Sequence, residues 1–155
     1  MSFYRRPIKN TQPCREASPQ DIYKYLVSDY AKRNTAHLRS LTDPKQRRRY
    51  KADNFDYITP GGIFTSRKEG DLVTPSGYMV IDFDHVPDPR GLVKRLAHDE
   101  QFETVLAFTS PSGDGVKWIL ALPSATNPDG KPFTYGEYFT ILSNYSRKVY
   151  GIEAD

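Results

Sequence analysis

The chain is poor in the residues that staple small domains, with one cysteine and three histidines in 155 residues. Cys14 has no partner for an internal disulfide. A lone thiol with His37, His85 and His98 scattered along the chain also cannot build a structural zinc cage. No apolar stretch approaches the roughly eighteen residues that a bilayer-spanning helix requires, so no membrane partner is expected. The basic segment Met1–Asn10 lacks the apolar stretch that follows it in a secretory signal, and the expected location is the cytoplasm. No internal repeat or low-complexity tract appears, and no His-x-His pair is present to suit a rolling-circle nickase. With 37% hydrophobic residues, the chain is suited to one domain with a real core.

What the chain has is an uneven charge. Residues 1–68 carry 15 Lys and Arg against six Asp and Glu, a net of +9, while the remainder has 7 against 13, a net of −6. A basic half beside an acidic half suits a polyanion bound next to acids that hold a metal ion, and it equally suits a lopsided solvated surface.

Periodicity and punctuation mark the elements. Phe3–Lys9 reads as a short strand. Ser18-Pro19-Gln20-Asp21 combines a capping residue, a first-turn proline and an acid, predicting a helix to about Lys32 with Ile22, Tyr25 and Leu26 on its apolar face. A second helical stretch spans about Ala36–Leu41. Thr42-Asp43-Pro44 starts a third, which carries Arg47, Arg48, Arg49 and Lys51. Strand formers and turn residues mix over Tyr57–Phe64, and Thr74-Pro75-Ser76-Gly77 marks a turn.

From Tyr78 the pattern sharpens. A strand over Tyr78–Asp84 is followed by a helix near Arg90–Ala97, a strand over Val105–Thr109, a loop over Ser110–Gly115 and a strand over Val116–Leu122. Thr134-Tyr135-Gly136-Glu137 matches the S/T-x-x-E capping box and predicts a helix to Tyr150 with Gly151 beyond its end. The order β-α-β-β-α predicts an α+β fold, a ferredoxin-like or RNA-recognition-like sheet with helices on one face and the other face open. An N-terminal helical and hairpin extension precedes it. The expected organisation is one domain over 1–155, with a basic, mainly helical part over 1–56 and a sheet-containing core over 57–155.

Two motifs could carry chemistry. In Asp82-Phe83-Asp84 the aspartates share one strand face, while Met79, Ile81 and Phe83 share the other. Their Cα atoms would stand about 7 Å apart, where two unit charges repel by about 2 kcal/mol at an effective dielectric of 20. A divalent cation such as Mg²⁺ or Mn²⁺ reverses that cost, although short acidic pairs also end strands in solvent. The second motif, Ser110-Pro111-Ser112-Gly113-Asp114-Gly115-Val116-Lys117, could turn amides, hydroxyls and the Lys117 ammonium toward a phosphate, or could be an ordinary hairpin. It is not the Walker pattern G-x-x-x-x-G-K-S/T. His85, on the opposite strand parity from the aspartates, reads as structural.

Together these motifs resemble the catalytic core of the archaeo-eukaryotic primase (prim-pol) superfamily. Asp82 and Asp84 match its D-x-D strand, Ser112, Gly113 and Gly115 match its serine-glycine loop, and Asp155 stands where its third acid follows a helix. With Thr59-Pro60-Gly61-Gly62-Ile63-Phe64 added, residues 57–155 look like the primase-like N-terminal domain of virulence-associated E-type mobile-element proteins. Lys117 replaces the usual histidine of the second motif, keeping a cation for phosphate while losing an imidazole. The resemblance implies further strands after the third acid, and so a fragment of a longer protein in which a helicase-like domain follows.

It also implies a nucleotidyltransferase. Asp82, Asp84 and Asp155 would be its catalytic, metal-holding acids, with Mg²⁺ or Mn²⁺ as cofactor. Ser110, Ser112, Gly113, Gly115 and Lys117 would bind a nucleoside triphosphate. Arg47, Arg48, Arg49 and Lys51 would track single-stranded DNA or a template-primer. The alternative is a non-catalytic single-stranded nucleic-acid-binding module on the same fold.

Overall fold

In the computed structural model, which describes all residues Met1–Asp155, the chain forms eight strands and five α-helices in an α+β arrangement. It divides into two compact units, Met1–Ser76 with Pro111–Gly113, and Gly77–Ser110 with Asp114–Asp155. The break thus falls after Ser76, beyond the end of the helical segment.

In the first unit β1 (Ser2–Tyr4) is the centre of a three-stranded antiparallel sheet, between β2 (Arg15–Glu16) and β3 (Tyr57–Thr59). The segment from β2 to β3 holds three helices, each begun by a capping side chain. Ser18 caps α1 (Pro19–Leu26) in a full capping box with Asp21. The single long helix expected to Lys32 is instead two, because Ser28 caps α2 (Asp29–Ser40) by accepting from the Ala31 N–H at 3.2 Å. Asp43 caps α3 (Pro44–Asn54), which buries no residue. A hairpin of β4 (Gly62–Phe64) and β5 (Leu72–Pro75) completes the unit.

The second unit is built on β6 (Tyr78–Phe83), β7 (Thr104–Thr109) and β8 (Val116–Ala121), with β8 central and antiparallel to both neighbours. The alternation expected for β6 holds: Met79, Ile81 and Phe83 are fully buried, and Tyr78, Val80 and Asp82 are half-buried. Register places Val116 beside Phe83, Trp118 beside Ile81 and Leu120 beside Met79. These residues form one apolar face, covered by Leu92 and Leu96 of α4 (Pro89–Ala97) and by Tyr138 and Leu142 of α5 (Tyr135–Tyr150). Each such side chain contributes about 1.5–3 kcal/mol on burial. Thr134 and Glu137 close the expected capping box, and Gly151, with φ 70°, ends α5 in the left-handed conformation that glycine adopts without strain.

The opposite sheet face is not the open surface expected. Ile119 is 1% exposed there, because the central strand sets it between Val80 and Leu106. Asp99, in the turn after α4, ties the helices to the sheet's end. Its carboxylate accepts from the Gln101 and Phe102 N–H groups at 2.9 and 2.7 Å and from the Tyr145 and Tyr150 hydroxyls at 2.8 and 2.5 Å.

Candidate functional site

The site follows from the register of the second unit's sheet. Asp82 and Lys117 are direct cross-strand partners, 35 positions apart in sequence, and the Lys117 ammonium donates to Asp82 Oδ2 at 2.5 Å. The pair is partly open to water, with side chains 32% and 40% exposed for Lys117 and Asp82. The other oxygen, Asp82 Oδ1, is shielded from solvent and has no hydrogen-bond partner. A shielded carboxylate oxygen with no donor is a cost in the absence of a ligand, because its hydration is lost and nothing replaces it.

The two other predicted acids gather at the same strand end. β6 stops at Phe83, so Asp84 lies just past it and is exposed. After α5 the chain returns to this edge, where the Asp155 N–H donates to the Asp82 carbonyl at 3.0 Å. A hydrogen bond with the Asp84 carboxyl is the main influence raising the Asp155 carboxyl above the usual carboxylate range. Desolvation and the charges of Asp84 and Asp82 push the same way, and His85 pulls against them.

The serine-glycine loop divides. Its base belongs to the second unit and abuts the acids. Ser110 is 6% exposed, its N–H donates to the Gly115 carbonyl at 2.8 Å, and its hydroxyl accepts from the Gly115 N–H at 3.2 Å. Only glycine fits at 115: a methyl group there would stand 2.7 Å from the Phe83 carbonyl oxygen and 3.0 Å from Asp84 Oδ1. The Val86 N–H donates to the Asp114 carbonyl at 2.7 Å, fastening the loop base to the turn that follows Asp84.

The loop's tip, Pro111–Gly113, groups with the first unit. Arg39 Nε donates to the Pro111 carbonyl at 3.1 Å and Arg47 Nη2 to the Ser112 carbonyl at 3.0 Å. Gly113 has φ 92°. Pro111 and Ser112 therefore offer carbonyl oxygens to guanidinium groups, whereas Ser110, Gly115 and Lys117 stand with the acids.

The predicted nucleic-acid residues also part company. Arg47 is engaged with Ser112, Arg49 lies 3.6 Å from Asp53, and Arg48 and Lys51 are exposed on α3. His85 sits differently from what its strand parity implied. Its side chain is not packed in the core but 89% exposed, with Nδ1 3.3 Å from Asp114 Oδ2. It also adopts φ 53°, uncommon for a residue with a side chain. The signal was its place in the tight sequence Asp84-His85-Val86-Pro87, where strand parity no longer applies.

The donor chemistry of this end of the sheet is all carboxylate oxygen, which suits a hard divalent cation. No group of three or more His, Cys, Asp and Glu side chains stands at metal-ligand spacing, however. The Lys117 ammonium occupies the position of a counter-ion to Asp82. No helix is long and apolar enough to cross a membrane.

Fold and site thus define an α+β protein whose second unit carries an acid-lysine cluster beside a glycine-closed loop. The family described as BT4734-like, N-terminal domain matches residues 50–155, more than half of the chain, and the chain belongs to that family. Neither the curated proteins nor the solved structures yield a match to it.

Proposed function

We propose that this chain is a primase-polymerase-type nucleotidyltransferase core of a mobile-element replication protein, acting on nucleic acid and a nucleoside triphosphate. The observation that carries the reading is the convergence at one end of the second unit's sheet of Asp82, Asp84, Asp155, Lys117 and the Ser110–Gly115 closure. A central strand antiparallel to both neighbours, with two helices on one face, also suits a ferredoxin-like core.

Asp82, Asp84 and Asp155 are the residues that would hold Mg²⁺ or Mn²⁺. When bound, such an ion neutralises a triphosphate and lowers the pKa of an attacking hydroxyl. Asp82 Oδ1 is an acceptor without a donor and would be available to such an ion, with Asp84 just past the same strand end and Asp155 returned to it by its backbone bond to Asp82. Lys117 turns its ammonium from Asp82 Oδ2 to a phosphate oxygen, which keeps its charge balanced throughout. In the transfer, the 3′-hydroxyl gives up its proton to solvent water, its oxygen forms a bond to the α-phosphorus, and the bond from that phosphorus to the bridging oxygen breaks, releasing pyrophosphate.

Calorimetric titration with Mn²⁺ and a nucleoside triphosphate, followed by primer extension, tests this. Binding of both to the wild type, abolished by Asp82→Asn with Asp84→Asn, is expected. If neither ligand binds and the double variant is more stable than the wild type, the acids merely end a strand and the reading fails. A second reading, a non-catalytic module for single-stranded nucleic acid, is favoured by the Lys117 ammonium already bound to Asp82. It predicts nucleic-acid binding indifferent to metal and triphosphate.

A further inference from the structure

The first unit carries a net charge of +7, against −4 for the second, and its cations are not evenly paired. Residues 1–15 contain no acid and four bases, Arg5, Arg6, Lys9 and Arg15. The connection from β1 to β2 bears the first three and leads into Arg15 at the start of β2, and it is held from several sides. The Ile8 N–H donates to the Ala52 carbonyl at 2.7 Å, the Arg67 N–H to the Thr11 carbonyl at 2.9 Å, and the Tyr57 hydroxyl to the Asn10 carbonyl. Arg67 and Lys68 are thereby placed against this connection. All six cations are exposed, and none has a carboxylate within the 4.0 Å of an ion pair. The nearby carboxylate of Asp56 accepts from the Arg6 backbone N–H and the Tyr25 hydroxyl.

Three of the guanidinium groups lie over aromatic rings: Arg15 over Phe3 at 4.5 Å from the ring centre, Arg67 over Tyr57 at 4.7 Å and Arg6 over Tyr30 at 5.3 Å. A guanidinium held on a ring loses less freedom when it binds, and its outer plane remains a flat cationic surface. An unstacked base can lie on such a plane, whereas bases inside a duplex cannot.

We infer that the β1–β2 connection, with Arg67 and Lys68, is a binding surface for single-stranded nucleic acid. Arg5, Lys9 and Lys68 meet phosphates, and Arg6, Arg15 and Arg67 offer stacking planes to bases. This surface replaces the Arg47–Lys51 run of α3, where Arg47 and Arg49 are already engaged. Most of it precedes the residues matched by the family, and it needs neither metal nor triphosphate, so it goes beyond the catalytic proposal and survives that proposal's failure.

Fluorescence anisotropy with a labelled single-stranded oligonucleotide, in the absence of metal and nucleotide, is the test. Arg5→Glu with Lys9→Glu should weaken binding at least about tenfold at low salt and flatten the slope of log K against log salt by about 0.7 for each phosphate no longer neutralised. Neither side chain packs on a ring or an acid, so an unchanged melting temperature is expected and shows that folding is not the cause. Arg15→Lys should weaken single-strand binding while leaving the salt slope unchanged, because the charge stays and the plane is lost. Unaltered affinity in the Glu variant overturns the inference, as does an equal loss from Arg48→Glu with Arg49→Glu. Equal affinity for a duplex, or for vesicles of phosphatidylserine and phosphatidylcholine, also overturns it.

Discussion

Replacing Lys117 by alanine removes the one cation that the sheet register places on Asp82. Both carboxylate oxygens of Asp82 then lack a donor, Oδ1 as before and Oδ2 newly so, beside Asp84 and Asp155. A hydrogen bond to a charged group contributes about 1.5–3 kcal/mol when buried, and partial exposure of both side chains reduces this to about 1–2 kcal/mol. For a chain of this size that corresponds to a fall of roughly 3–6 °C in melting temperature. The missing positive charge also sharpens the demand for another cation. Mn²⁺ should therefore stabilise Lys117→Ala more than the wild type, by up to about 2.7 kcal/mol at a hundred times its dissociation constant. Urea denaturation at neutral pH, with and without Mn²⁺, reads both effects. A midpoint unchanged within error, together with no response to Mn²⁺, would refute the claim that Asp82 requires a counter-charge.

Three further outcomes are expected. Asp99→Ala removes an acceptor of four hydrogen bonds and should cost about 2–4 kcal/mol, with Asp99→Asn recovering part of the loss on thermal denaturation. Burial alone would raise the Asp99 pKa, but the donors Tyr150, Phe102, Tyr145 and Gln101 outweigh it and lower the value, while the Tyr145 hydroxyl is pushed up to about 12. A lowered carboxyl pKa means that this stabilisation is complete above the ordinary carboxylate range and disappears as pH falls through the lowered value, a trend that the variant's acid denaturation curve should lack. Gly115→Ala drives a methyl group to 2.7 Å from the Phe83 carbonyl and should cost about 1–3 kcal/mol by urea denaturation, whereas Gly70→Ala, with nothing within 4 Å, should stay within about 0.5 kcal/mol of the wild type. Thr134→Ala opens the capping box of α5 and should lower stability by about 1 kcal/mol, measured by the loss of helical circular dichroism with temperature.

The local parts of this protein are written in its sequence. The caps at Ser18, Asp43 and Thr134, the left-handed stop at Gly151 and the buried alternation of Met79, Ile81 and Phe83 each depend on residues within a few positions of one another. The break at Ser28 is just as local, but its cap lies inside a run of helix-compatible residues that conceals it. The sheet order and register were decided only in three dimensions, because the pairing of distant strands depends on how their apolar faces pack. That pairing put β8 at the centre, set Lys117 opposite Asp82, and buried Ile119 on the face expected to be open. Tertiary structure also separated the loop tip at Ser112 and Gly113 from its base at Ser110 and Gly115. It left six unpaired cations around the β1–β2 connection, where charge counting along the chain points to the arginine run of α3. Charge is a property of residues, but whether a cation has a partner is a property of distances, and only folding sets those.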